Sequence, residues 1–401
     1  MKILVVGSRI PWPLHDGGAI ATYQLLKGLL DQGAEVVYFS FNTRKHFVDR
    51  EQIERHFPFC KVVDVPLDAN PTITGALLAL LQGKNYNISR FENETAKRRF
   101  ADLLSSETFD LVQLEGLYAS PFLDVVTEAG IPVVLRQHNA EFQIWERLAK
   151  NERNPLKSLY YRILSAQLKT YETGILRRVQ AIVPISPADR DLFTALAPGK
   201  PMYLLPVGLT EAITDRPAFR PETFFHLGSM EWIPNVEAVK WLVHEVWPLV
   251  RSALPEAKLH LAGKGLQKQD NRFSGPGITV DGEIDNAQHF MQSHGVMLVP
   301  VFAAGGIRVK ILEAFNLGVP VVSTDIGVQG IHAANERELL LANTAREFAT
   351  AMIRMQQEPA RRESMVANSR SLIDREYQVD KLISGLLDFY SQILDSTQFK
   401  D

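Results

Sequence analysis

The stretch Pro300–Ala314 brings together the residue types best suited to hold a phosphate. An apolar run, Gly295–Val299, is followed by Phe302-Ala303-Ala304, two glycines (Gly305-Gly306), Ile307, and then an amphipathic pattern expected to be helical over Arg308–Leu317. Arg308 and Lys310 fall in the first turn, where cations oppose the helix dipole by roughly a few tenths of a kcal/mol. A diphosphate docked there would remove the conflict, with the free N–H groups of the helix start assisting the two cations. Glu313, three residues beyond Lys310, reaches the same side and can accept from a ribose diol. The plain alternative is a surface helix with ordinary charges.

Two other places carry polar groups at positions where ligands bind. The loop Gly7–Gly18 closes on Gly17-Gly18 just before a helix, a setting for an anion. Trp12, His15 and Asp16 within it could stack on or bond a sugar, or serve only packing and turns. The run Arg136-Gln137-His138-Asn139-Ala140-Glu141 sits at the C-terminal end of an expected strand, the edge where open α/β sheets bind ligands. His138 there is either a sugar contact or a satisfied structural histidine. No Gly-x-Gly-x-x-Gly fingerprint occurs, which removes the main support for a dehydrogenase.

These motifs are positioned by alternating strand and helix patterns. Lys2–Val6, Glu35–Phe39, Leu111–Leu114, Val133–Arg136 and Ala181–Ile185 read as strands buried on both faces. Phe224–Leu227, Lys258–Ala262, Ile278–Val280, Gly295–Val299 and Val319–Thr324 repeat the programme. Helices are expected over Ala19–Gln32, closed by Gly33, and over Asn235–Leu254. The pattern implies α/β architecture with two doubly wound parallel sheets, residues 1–205 and 206–377, joined through the Pro-bearing segment Pro201–Pro221. The amphipathic segment Gln378–Gln398 either caps the second domain or crosses back to complete the first with residues 378–401.

Bulk properties narrow the partners. A net charge of −3 argues against nucleic acid. The single cysteine, Cys60, excludes an internal disulfide and a cysteine-built zinc site, and fits a reducing cytosol. The apolar run Ile73–Leu81 is too short to span a bilayer. It reads as a core helix or as a peripheral contact for a lipid-linked acceptor or the inner face of a membrane.

At these residues the sequence resembles the retaining family 4 glycosyltransferases with the GT-B fold, two Rossmann-like domains facing across a cleft. The likeness rests on Gly17-Gly18, His138-Asn139-x-Glu141, Ile185-Ser186, Gly228-Ser229-Met230, Ala262-Gly263-x-Gly265 and, most specifically, Gly306 to Pro320. It implies that Arg308 and Lys310 hold the donor diphosphate and take the place of a metal ion, so that no cofactor is required. It also implies that Glu313 binds the ribose, that backbone over Phe302–Ile307 meets the sugar, and that Asp281-Gly282-Glu283 lies against the base. Gly228 and Ser229 would join the donor site, Gly18 would approach the diphosphate, and His138 would sit beside the transferred sugar. The N-terminal domain would bind a glycan, lipid-linked or small-molecule acceptor. The family's usual pair of glutamates is eight positions apart, and Gly305 stands where the first would be. The competing readings are a nucleotide-sugar 2-epimerase and a non-catalytic partner subunit.

Overall fold

The computed structural model describes residues 1–14, 17–152, 154–209, 219–267, 271–303 and 307–398. The candidates His15, Asp16, Ala304, Gly305 and Gly306, and part of the expected linker, lie outside them. The chain divides into two compact units, Met1–Gly208 with Val379–Asp401, and Leu209–Gln378.

In the first unit, six parallel strands run in the order β3-β2-β1-β4-β5-β6: β1 (Lys2–Gly7), β2 (Glu35–Thr43), β3 (Lys61–Leu67), β4 (Leu111–Glu115), β5 (Val133–Gln137) and β6 (Ala181–Pro184). Alternate side chains of β1 enter opposite cores. Leu4 and Val6 pack with Phe39, Phe100 and Phe122, while Ile3 and Val5 pack with Leu26, Leu29 and Leu386. Burial on both faces is why the strand is apolar throughout. β3 was not among the expected strands. Lys61, Asp64 and Pro66 interrupt its apolar pattern, and an edge position tolerates them because only one side must pair.

The second unit repeats the arrangement in the order β12-β11-β10-β7-β8-β9. Its strands are β7 (Thr223–Leu227), β8 (Lys258–Ala262), β9 (Ile278–Gly282), β10 (Val296–Val299), β11 (Val321–Ser323) and a short edge pair, β12 (Leu340–Leu341), that periodicity could not reveal. Strand order reverses between β1 and β4 in one sheet and between β7 and β10 in the other. Each reversal splays the connecting loops at the C-terminal edge and opens a crevice there.

Helix Gly17–Asp31 ends as expected at Gly33, whose φ of 83° needs no Cβ and whose N–H reaches Leu30 O at 2.8 Å. The single helix expected over Asn235–Leu254 is instead three pieces: Ile233–Trp241, a π-turn Leu242–Val246, and Trp247–Ala253. Pro248 lacks the N–H that would bond His244, and the ladder slips so that Trp247 N–H bonds Leu242 O.

The last helix, Val379–Gln398, belongs to the first unit. Val379, Ile383, Leu386, Tyr390 and Ile393 form one stripe buried against β1 and β2. Helix Ile73–Leu81 is not a core helix. Leu78 and Leu81 are 56% and 85% exposed, and Ala79 is its one buried residue among the described side chains.

Candidate active site

In the second unit, the helix after β10 begins at Val309, so Arg308 is its cap rather than part of the first turn. The guanidinium turns back onto the following loop, donating Nε–H to Gly327 O (2.9 Å) and Nη2–H to Gln329 O (2.8 Å). Lys310 Nζ donates to Leu227 O at 2.7 Å, bridging the switch point between β10 and β7. Burial holds the Arg308 guanidinium down to about 10. It holds the Lys310 ammonium down to about 8, with Arg308 adding to the effect and Glu313 opposing it. Burial raises the Glu313 carboxyl, against the pull of Lys310. A buried guanidinium and a half-buried ammonium beside one carboxylate leave a positive pocket that low dielectric disfavours until an anion enters.

The neighbouring loops are built for close approach. A Cβ on Gly228 would lie 2.6 Å from the Asn235 amide nitrogen, and one on Gly263 (φ 143°) would collide with Gly228 O. Ser229 accepts from Glu231 N–H through its hydroxyl and from Asn235 Nδ2 through its carbonyl. His226 on β7 is fully buried, and burial first, then Lys310, drives its imidazole down to about 3. Its neutral Nδ1–H donates to Leu298 O at 2.9 Å, and its buried Nε2 has no partner among the described residues. Asp281 and Gly282 end β9 and Glu283 follows it; Asp281 Oδ2 lies 3.1 Å from His260 Nδ1. Asp281 and Glu283 help line an open cavity of about 920 Å³ with His289 and Phe290. Phe302 is 44% exposed with its ring 4.8 Å from Trp241, Ala303 is exposed, and Ile307 packs on the core.

In the first unit the C-terminal edge carries a buried polar network. Register pairs Gly7 of β1 with Glu115 of β4, which places Glu115 at the switch point. Its Oε2 accepts from Arg136 Nη1 (3.1 Å) and Thr22 Oγ1 (3.2 Å) and lies 2.9 Å from His138 Nε2. Its Oε1 accepts from Gln113 Nε2, and Tyr390 of the last helix donates to Gln113 Oε1. Burial alone would raise the Glu115 carboxyl, but Arg136, His138 and Gln113 together bring it down to about 2. The carboxylate is therefore ionised, and it fixes the His138 ring with Nε2–H toward Glu115.

Glu141 opens the next helix and accepts from the Tyr118 hydroxyl at 2.8 Å. Glu172 accepts from Gln137 Nε2 and from the N–H groups of Glu141 and Phe142, capping that helix, and burial pushes its carboxyl up to about 7. Gly17 starts its helix and is exposed, Gly18 is half-buried, and Asn139 is half-buried beside His138. Trp12 stacks on His56 with ring centroids 3.6 Å apart, so packing accounts for it. The chain's one Asp-x-Asp triplet, Asp189-Arg190-Asp191, has the spacing of a cation site. Both carboxylates have local partners: Asp189 bonds Ser186 and Asp191 pairs with Arg190.

Comparisons with known proteins show the family of the chain. The glycosyl transferase 4-like domain matches residues 16–208, and the glycosyl transferases group 1 domain matches residues 221–358. The chain belongs to the family 4 glycosyltransferases. Solved structures show the same GT-B fold over nearly the whole length. A sucrose-phosphate synthase from Thermosynechococcus elongatus is 16% identical, with 99% of this chain and 100% of that chain covered at a TM-score of 0.70. Anabaena HepE in complex with UDP and glucose is 13% identical, with 98% and 99% covered at a TM-score of 0.64. An uncharacterised 44.6 kDa protein in the cps region of Klebsiella pneumoniae is 22% identical over 400 residues, covering 96% of this glycosyltransferase and 98% of that protein.

Sequence reasoning missed Glu115, Gln113, Thr22 and Tyr390 in the first unit, and His226 in the second. Gln113 and His226 are polar residues inside apolar strands. That exception was the available signal, because a buried polar group must find a partner.

Proposed function

We propose that this glycosyltransferase moves a sugar from a nucleoside diphosphate sugar to a glycan or lipid-linked acceptor, without a metal ion and with retention at the anomeric carbon. The observation that carries the reading is Lys310: a half-buried ammonium held down to about 8, with one of its three N–H bonds given to Leu227 O. Departure of the sugar builds negative charge on the leaving diphosphate. A fixed cation at that point stabilises the change without reorganising, and removing such a group typically costs about 3 kcal/mol. Arg308 contributes charge and also holds the loop through Gly327 and Gln329, so it shapes the pocket as well as neutralising it. Glu313 would take the ribose hydroxyls, and the cavity beside Asp281 and Glu283 would take the base.

In the first unit, His138, oriented by Glu115, would donate to or accept from a sugar hydroxyl. Acceptor recognition belongs to the same edge. Retention, with the leaving phosphate assisting removal of the acceptor proton, follows the family pattern.

The test is calorimetric titration with UDP, followed by GDP and ADP, in EDTA. UDP comes first because the Anabaena relative was solved with it. Wild-type protein should bind one diphosphate tightly, and Lys310→Ala should lose at least tenfold in affinity without melting lower. Equal affinity in both proteins, or binding that requires added Mg²⁺, would overturn the assignment.

A further inference from the structure

Away from both sites, the first unit exposes an apolar surface that the transfer chemistry does not use. We propose that helix Ile73–Leu81 and the first half of helix Pro155–Arg178 form a docking surface for an anionic lipid bilayer. On the first helix Leu78, Leu80 and Leu81 are exposed, the last at 85%. On the second, Leu156 (77%), Leu159 (56%) and Ile163 are spaced three and four residues apart and form one outward stripe, while Leu164, Leu168 and Ile175 face the core.

The turn after the first helix ties it to the second. After Gly83 the chain turns, and Asn85 donates its Nδ2–H to Leu164 O at 3.2 Å. Tyr86 accepts from Thr72 N–H through its hydroxyl, and it sits close enough to Tyr160 to affect that phenol. Leu81, two residues before Gly83, and Ile163, next to Leu164, therefore flank this turn.

Charge decides the occupant. No Asp or Glu occurs between Asp68 and Glu92, or between Glu152 and Glu172, although the whole chain is net negative. Those windows carry Lys84, Arg90, Arg153, Lys157, Arg162 and Lys169, and Lys157, Arg162 and Lys169 are exposed. Lys84 pairs with Glu92 at 2.9 Å, which leaves apolar side chains fringed by the exposed Lys157, Arg162 and Lys169, a combination that suits the interface of a bilayer bearing anionic headgroups. A second copy suits it poorly, because a two-fold interface would set the same cations against themselves.

Both helices leave the C-terminal edge of the sheet, one after β3 and one through the helix that starts at Glu141 after β5. Docking would thus hold this edge, with His138 on it, near acceptors carried on lipid. The proposal stands apart from the donor reading, since it needs neither nucleotide nor acceptor to be tested.

The experiment is co-sedimentation of the full chain with phosphatidylcholine vesicles, with and without about one-third phosphatidylglycerol, at low and high salt. The wild type should pellet with anionic vesicles, less so in high salt, and stay in solution with phosphatidylcholine alone. The variant Leu81→Glu/Leu156→Glu/Leu159→Glu should reduce the pelleted fraction at least tenfold. So should Lys157→Glu/Arg162→Glu, which leaves every leucine in place. Both variants should keep the wild-type melting temperature and UDP affinity. Wild-type protein that stays in the supernatant, or variants that pellet like the wild type, would overturn the proposal. So would a wild-type dimer that the leucine substitutions dissociate in the absence of vesicles.

Discussion

Glu115 ends β4, His138 directly follows the neighbouring parallel strand β5, and the two meet at 2.9 Å, with the carboxylate ionised and the imidazole at the surface of the network. The same carboxylate oxygen also accepts from Arg136, so one buried negative charge balances one buried guanidinium while holding the histidine ring. Glu115 is a positioning residue: it acts through His138.

Replacing Glu115 by Gln should separate charge from shape. The amide can still reach His138, but Arg136 would be left buried without its counter-charge, a loss of about 3 kcal/mol of stability. Transfer should fall at least tenfold in kcat, about 1.4 kcal/mol, because the ring is no longer held in one tautomer. UDP affinity, which belongs to the second unit, should not change. Steady-state kinetics beside UDP calorimetry check this. A joint fall in kcat and UDP affinity would mean general unfolding instead.

Tyr390→Phe should test the returning helix. The ring stays in its apolar slot, but Gln113 Oε1 loses its donor, which costs about 1–2 kcal/mol. Deleting residues 379–401 should do far more, since it bares the face of β1 and β2 that Ile383, Leu386 and Tyr390 cover. Chemical denaturation of the point variant and solubility of the truncation are the measurements.

The interior strands were legible because burial on both faces leaves nearly unbroken Val, Ile and Leu runs, as in Ile3–Val6 and Val296–Val299. Edge strand β3 was hidden because Lys61, Asp64 and Pro66 are affordable only where one side needs no partner. Arg308 and Lys310 announced themselves by opposing the helix dipole in an otherwise apolar stretch. Glu115 gave no such sign, since a glutamate ending a strand looks ordinary. Its importance comes from register with Gly7, and from Tyr390 standing 277 residues from Gln113 in sequence, relationships no local pattern contains.

Gly263→Ala should show how tightly the loops after β7 and β8 are pressed together. The residue's φ of 143° disfavours any Cβ, and the new methyl would run into Gly228 O. Strain of about 1–3 kcal/mol is expected, together with displacement of Gly228 and Ser229. The variant should therefore melt lower and bind UDP more weakly, whereas Gly33→Ala, also at positive φ but with no neighbour within 4 Å, should lose stability only.

Nucleotide binding should carry a proton signature. Lys310 titrates near pH 8 in the folded protein, against 10.5 for an ordinary lysine. The unfolded chain therefore holds more protons between these two values, and this residue's contribution to stability rises with pH across that window. A bound diphosphate favours the ammonium and raises its pKa again. Near pH 7 the lysine is already protonated and binding takes up almost no proton. Near pH 9 it is mostly neutral, and binding must take up close to one, with affinity falling by up to about tenfold per pH unit above 8. Calorimetry in buffers of different ionisation enthalpy reads the uptake directly. In Lys310→Met the uptake at pH 9 should vanish, and an unchanged signature would assign the proton to another group.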